Sequence, residues 1–317
     1  MIGATVAFGF VGTLTILGYW FAPNRFATLA GVLQAVGMCG AMLGQAPLRF
    51  SVEQVGWRST MMGLAVIAIV LSLLLFFIIP KRSTNTKVAG SERGTKTTGY
   101  GVLSGLKKVC VNPQSWYCSL IGFGLTATML AFAGLWSVPW LSSQMGFSKT
   151  EAAAIASLFF LGWGVGSPLA GWLSDFIGKR KPVLYIGCIL NILFFSIIIY
   201  GNLAETFFLG TLFFLCGASG SVMIVCFSMA KELNSPTHSV TAIGLLNMFV
   251  VGSGAVMQPL IGWLLDGQWS GEMINGARLY GASAFTTAFT ALLFCNVLAL
   301  FCIIKLNETY CQQRKLS

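Results

Sequence analysis

Charge is what this sequence has least of: Asp, Glu, Lys and Arg make up 9% of its 317 residues, where a soluble domain carries about 25%. With 56% hydrophobic residues and a mean hydropathy of +0.80, a water-soluble globule is excluded. Histidine is nearly absent, with His238 alone, and none of the nine cysteines pairs as Cys-x-x-Cys. Most of the cysteines lie inside apolar runs and read as small buried hydrophobes, so neither a metal site nor a disulfide framework is expected. A phosphate-cradling Gly-x-x-x-x-Gly-Lys-Ser/Thr loop is missing, which excludes ATP-driven pumping. No apolar run carries Asp, Glu, Lys or Arg near its middle; Glu151, Glu205 and Asp266 sit at the ends. Without an intramembrane acid/base pair an enzyme is not expected, and no cofactor is implied. The first apolar run opens without basic residues and is nearly of span length, so it reads as a span and not as a cleaved leader.

What is present is apolar length. A membrane span needs about 20 mostly apolar residues, and nine segments qualify: 2–20, 26–47, 58–80, 115–140, 151–173, 182–201, 206–231, 239–265 and 283–305. Period-two alternation is absent, so all nine are expected as helices of an all-α integral membrane protein. The net charge of +10 does not indicate nucleic acid, because the cations cluster in particular loops. If the loop holding Lys179, Arg180 and Lys181 is cytoplasmic, alternation places 15 of the 19 Lys and Arg on that side. Residue 1 then begins on the outer face.

The connector 81–114 divides the chain into an expected partial N-terminal half, 1–80, and a six-helix half, 115–317. Its polar part, 83–98, reads as flexible. Residues 101–110 read as a short amphipathic helix on the membrane surface, and Asn112-Pro113 as the cap and first residue of the fourth span. A shift of 213 positions aligns Thr28, Gly31, Gln34 and Gln45 with Thr241, Gly244, Asn247 and Gln258. Spans one to three then repeat spans seven to nine, and spans four to six lack a counterpart, roughly 100 residues of an opening three-helix unit.

Between the fifth and sixth spans runs Gly171-Trp-Leu-Ser-Asp175-Phe-Ile-Gly178-Lys179-Arg180-Lys181. It resembles the signature loop of the major facilitator superfamily, Gly-x-Leu-Ser/Ala-Asp-Arg/Lys-x-Gly-Arg/Lys-Arg/Lys, departing from it at Phe176. Trp20-Phe21-x-Pro23-Asn24-Arg25-Phe26, Gly56-Trp57-Arg58 and Gly162-Trp163-x-x-Gly166-Ser167-Pro168 belong to the same pattern. The resemblance implies a bundle of about nine transmembrane helices, equivalent to family helices four to twelve. It also implies a multi-pass protein of the plasma membrane, the bacterial inner membrane in particular. Within the superfamily the texture is similar to phthalate-permease-like and organic-anion nutrient importers.

The resemblance makes a gating loop of Gly171, Asp175, Gly178, Lys179, Arg180, Lys181 and Arg25. In it, Asp175 would reach the positive N-terminal end of the second span and latch the halves together; capping within its own half is the alternative. Lys179, Arg180 and Lys181 are expected to be mainly orientation signals and headgroup anchors. The small residues Gly162, Gly164, Gly166 and Gly171, with Gly37, Gly40 and Gly44, suit either sliding or plain helix packing. Antiporters of the family carry Gly-x-x-x-Gly-Pro in the helix that the resemblance equates with the second span; Gly40 and Gly44 match but Pro47 is displaced by two positions, which weakens an antiporter and leaves a symporter as the expectation. Polar candidates for the substrate cavity are Thr13, Thr15, Gln34, Thr126, Thr128, Ser219, Ser221 and Asn247, with Trp136 able to stack on a ring. His238 reads as a solvated helix-end residue.

The implied function is secondary-active transport of a small solute, a nutrient or organic anion, by alternating access within the bilayer. The coupling ion is left open, and a truncated, non-transporting remnant of such a transporter is the alternative.

Overall fold

The computed structural model describes residues 2–21, 25–43, 46–78, 102–201, 205–274 and 277–312. The polar connector 83–98, Pro23, Asn24, Gly44 and Gln45 therefore lie outside the described residues. The chain divides into two compact units: Met1–Met38 with Gly101–Ser317, and Cys39–Tyr100.

In the larger unit, α1 (Ile2–Trp20) and the start of α2 (Phe26–Leu43) are followed, after the connector, by α5 (Val102–Val111) and α6 (Pro113–Ala127). Helix α6 continues through a π-helical stretch, Thr128–Trp136, into α7 (Ser137–Gln144). Then come α8 (Lys149–Ile177), α9 (Lys181–Tyr200), α10 (Thr206–Gly220), a 3₁₀ turn at Ser221–Met223, α11 (Ile224–Glu232), α12 (Ser239–Asp266) and α13 (Ala282–Lys305). The smaller unit holds α3 (Ala46–Val55) and α4 (Trp57–Ile78), packed on each other. Among the described residues, seven helices are long and apolar enough to cross a membrane.

Local chemistry sets most helix ends. The side chain of Asn112 accepts from Gln114 N, with Pro113 in the first turn, so α6 starts where the Asn-Pro pair places it. Ser148 and Glu151 close a capping box on α8, and Gly178, at φ 69°, ends it in the left-handed conformation. Within the expected span 26–47, helix is described over Phe26–Leu43 (α2) and again from Ala46 (α3). Gly56, at φ 80°, then turns the chain into α4. An antiparallel hairpin between α12 and α13, β1 (Met273–Ile274) with β2 (Ala277–Arg278), was not foreseen.

The core of the larger unit gathers on Phe132 in the π-helical stretch. Its ring lies 5.0–5.9 Å from those of Phe289, Phe195, Phe213 and Trp140, tying α7, α9, α10 and α13 to one side chain. Glycines decide how closely α8 meets its neighbours. A Cβ on Gly162 or Gly166 would collide with the α10 backbone at Phe214 or Ala218, and one on Gly171 with Ala27 of α2. The small residues of α8 thus serve two different helices. Gly31 and Gly244, matched by the internal repeat, differ: Gly31 presses on Ser167 and Pro168, while Gly244 has nothing within 4 Å of the position its Cβ would take.

Gly162→Val should therefore destabilise the bundle by about 1–3 kcal/mol, read as a lower melting temperature in detergent. Gly244→Ala should leave it unchanged or slightly raised.

Candidate functional site

The left-handed Gly178 folds the end of α8 back on itself, and Pro182 lets α9 start at Lys181. This turn brings Ser174, Asp175 and Arg180 together. Oδ2 of Asp175 accepts from the backbone N of Thr28 at 2.9 Å and from its hydroxyl at 2.7 Å. Thr28 lies in the first turn of α2, where backbone N–H groups lack partners of their own and the helix dipole is positive. A carboxylate is the group such an end accepts best.

Oδ1 of Asp175 accepts from Nη1 of Arg180 at 2.5 Å. Arg180 is fully buried. Its Nη2 and Nε donate to Oε1 of Glu232 at 2.7 and 3.2 Å, and Nη1 also donates to Ser174 Oγ. Burial opposes the charge on Arg180, but Glu232 and then Asp175 more than offset it, and its pKa rises above the ordinary guanidinium value. The arginine therefore stays charged while buried.

The segment after α13 closes the network. The Thr309 hydroxyl donates to Oε2 of Glu232. The two carboxylate oxygens of Glu308 accept from the backbone N of Arg180 at 2.8 Å and of Lys181 at 2.9 Å, capping α9. Lys181 Nζ donates to Ile304 O at 2.9 Å. Five parts of the chain, α2, the α8–α9 turn, α9, α11 and the segment after α13, thus meet at one end of the unit.

Two expectations change here. Arg180 is a buried bridging cation and not an exposed headgroup anchor, because carboxylates from α8 and α11 converge on it; Lys179 alone of the three loop cations is exposed. The cation facing Asp175 is Arg180, whereas Arg25 is exposed. Glu232, Glu308 and Thr309 were missed. The available signal was that Glu232 closes an apolar run in a chain with only nine acids.

The cavity candidates are not drawn into one pocket. Thr13 and Thr15 donate to Gly9 O and Val11 O within α1. Thr128 accepts from buried Asn296 of α13 at 2.8 Å, and Trp136 Nε1 donates to Gln258 O of α12 at 3.2 Å. Ser219 is buried against Asn191 of α9, and Ser221 donates to Ala218 O. Thr126 is buried with no partner for its hydroxyl, while Gln34 and Asn247 are half-buried. None of them lines the groove of about 520 Å³ between α12 and α13, which is walled by residues such as Met257, Leu264, Thr287 and Phe294. At the end of α12 remote from Lys231 and Arg180, Arg278 pairs with Asp266 at 2.6 Å and Tyr280 donates to the same carboxylate. Gln144 of α7 donates to Tyr280 O. All nine cysteines are free, and no metal-holding group occurs among the described residues.

The Major Facilitator Superfamily profile matches residues 1–138 and 120–309. The chain belongs to the major facilitator superfamily. It is a multi-pass membrane protein of a family of transporters. It is 25% identical over 285 residues to a membrane sensor protein, UhpC, of Escherichia coli, covering 84% of this chain and 62% of that one. It is 24% identical to a probable hexose phosphate transport protein of Chlamydia muridarum, covering 82% and 62%. Against a cis,cis-muconate transport protein of Acinetobacter baylyi it is 24% identical, covering 86% and 65%. The chain thus spans less than two thirds of these relatives. The E. coli fucose:proton symporter has the same fold, with a TM-score of 0.54 at 12% identity over 96% of this chain and 91% of that one.

Removing one partner of a buried, hydrogen-bonded ion pair costs about 3–5 kcal/mol. Arg180→Met should therefore lower the melting temperature of the superfamily member in detergent sharply, and Arg180→Lys, which cannot serve two carboxylates at once, should restore only part of the loss.

Proposed function

We propose that the chain works in a secondary-active transporter of a small solute, an organic anion or phosphorylated nutrient, in which two halves, 1–80 and 115–317, rock about a midplane site. It corresponds to family helices four to twelve, with 81–114 as the central loop. The observation that carries this reading is the bond from Thr28 N to Asp175. Asp175 belongs to the C-terminal half and Thr28 to the N-terminal one, so this carboxylate latches the cytoplasmic end shut. The latch is reversible because its anchor, the Arg180–Glu232 pair, lies within the C-terminal half and persists when the Thr28 bonds break. Two relatives, one named as a probable hexose phosphate transport protein and one as a cis,cis-muconate transport protein, support an anionic solute.

A second reading, solute sensing without net flux, is favoured by the relative named as a membrane sensor. Vesicle uptake of labelled hexose phosphate and muconate by the full-length protein separates the two: a sensor binds solute but accumulates none.

Asp175→Asn should cut initial uptake per folded transporter about tenfold, the change in a two-state ratio that a shift of about 1.4 kcal/mol produces, and should also lower the melting temperature, because buried Arg180 loses one of its two carboxylates. Unaltered uptake would remove the latch role.

A further inference from the structure

The groove between α12 and α13 lies at the end of the bundle remote from Arg180. Its wall on α12 runs from Met257 to Leu264, and its wall on α13 from Thr286 to Cys295. At a rise of 1.5 Å per residue these walls are about 10 and 14 Å long, close to the ~15 Å of hydrocarbon in one leaflet. Three threonines line it, yet their hydroxyls are already engaged: Thr286, Thr287 and Thr290 donate to the carbonyls of Ala282, Ser283 and Thr286, one turn back. The lining is therefore apolar in effect. Thr287, Thr290 and Phe294 on its rim are exposed, and both helices are long enough to cross a membrane, so the groove faces acyl chains.

The end of the groove nearest the α12–α13 loop carries two opposite charges. Asp266 follows Leu264 by two residues. Nη1 of Arg278 donates to its Oδ1 at 2.6 Å, and the Tyr280 hydroxyl donates to the same oxygen at 2.6 Å. Among the described residues, Oδ2 receives no bond. The side chains of Arg278 and Asp266 keep 47% and 45% of their surface open, so a ligand can reach both. Arg278 also stands over the ring of Trp269, 4.6 Å from its centroid, and Trp and Tyr are the residues that settle at headgroup level.

An accessible cation and anion side by side, above an apolar slot one leaflet long, complement a zwitterionic phospholipid. A purely anionic headgroup would meet Asp266 as well as Arg278, and the two effects oppose each other. A choline ammonium has no N–H to give the open carboxylate oxygen, whereas an ethanolamine ammonium, like that of lysine, has three.

We propose that this groove is a phosphatidylethanolamine site. One acyl chain lies between α12 and α13, the phosphate binds Arg278, and the ammonium donates to Oδ2 of Asp266. The site goes beyond the transporter reading and does not depend on it.

The test uses the full-length protein in detergent, with native mass spectrometry reading the binding of phosphatidylethanolamine, phosphatidylcholine and phosphatidylglycerol of identical acyl chains. The ethanolamine lipid should bind about tenfold more tightly than the other two. Thr287→Trp, whose ring fills the groove from an exposed position, should weaken that binding about tenfold or more with the melting temperature of the lipid-free protein unchanged. Asp266→Asn should leave lipid bound but remove the preference for ethanolamine over choline. In nanodiscs, wild type with a photoreactive acyl chain on phosphatidylethanolamine should be labelled within 257–264 and 286–295, a readout that needs no variant to fold. Equal affinity for the three lipids, preference for phosphatidylglycerol, or labelling that spares both walls overturns the proposal, as does unchanged binding in a folded Thr287→Trp. A wild-type dimer that Thr287→Trp dissolves would make a second copy of the chain the occupant and would also overturn it.

Discussion

One buried guanidinium organises the end of this bundle where the α8–α9 turn lies. A charge removed from water is tolerated only when its donors are satisfied by opposite charge, and Arg180 meets that demand with one carboxylate from α8 and one from α11. Satisfying Arg180 fixes the orientation of Asp175, whose second oxygen is then aimed at the N-terminus of α2. The same demand draws in Thr309 through Glu232, while Glu308 caps the helix that Arg180 precedes. The contacts at this end are consequences of placing one cation where no water reaches.

The rest of the larger unit is held together by close packing around few polar groups. Phe132 joins four helices through its ring contacts, and glycines on α8 let the backbones of α10 and α2 approach it. In lipid there is no hydrophobic drive between helices, so such steric fit and a few interhelical hydrogen bonds carry the association. Asn191 and Asn296 supply the latter, reaching α10 and the π-helical stretch after α6 respectively. A bundle assembled this way has discrete packed arrangements, which suits the gating role proposed for its charged end.

The positions read from the sequence divide by the kind of physics they needed. Asn112-Pro113 marks a helix start through bonds spanning a few residues, so its outcome was legible; the Ser148–Glu151 box and the left-handed Gly178 are equally local but were not read. The cavity candidates were chosen for polarity within apolar runs, and that signal cannot tell a side chain facing a solute from one such as Thr128, which faces Asn296. Arg180 was misjudged because a cation in a short loop is solvated unless distant acids come to it, and Glu232 and Glu308 lie 52 and 128 residues away.

By itself, then, the sequence determined the lipid-soluble helices and some of their ends. Those properties follow from segment length and local capping. Only the tertiary structure decided that Asp175 reaches α2 and that Arg180 is shared between two acids. Each depends on desolvation by partners far along the chain, and burial is a property of the packed bundle that no local run of residues contains.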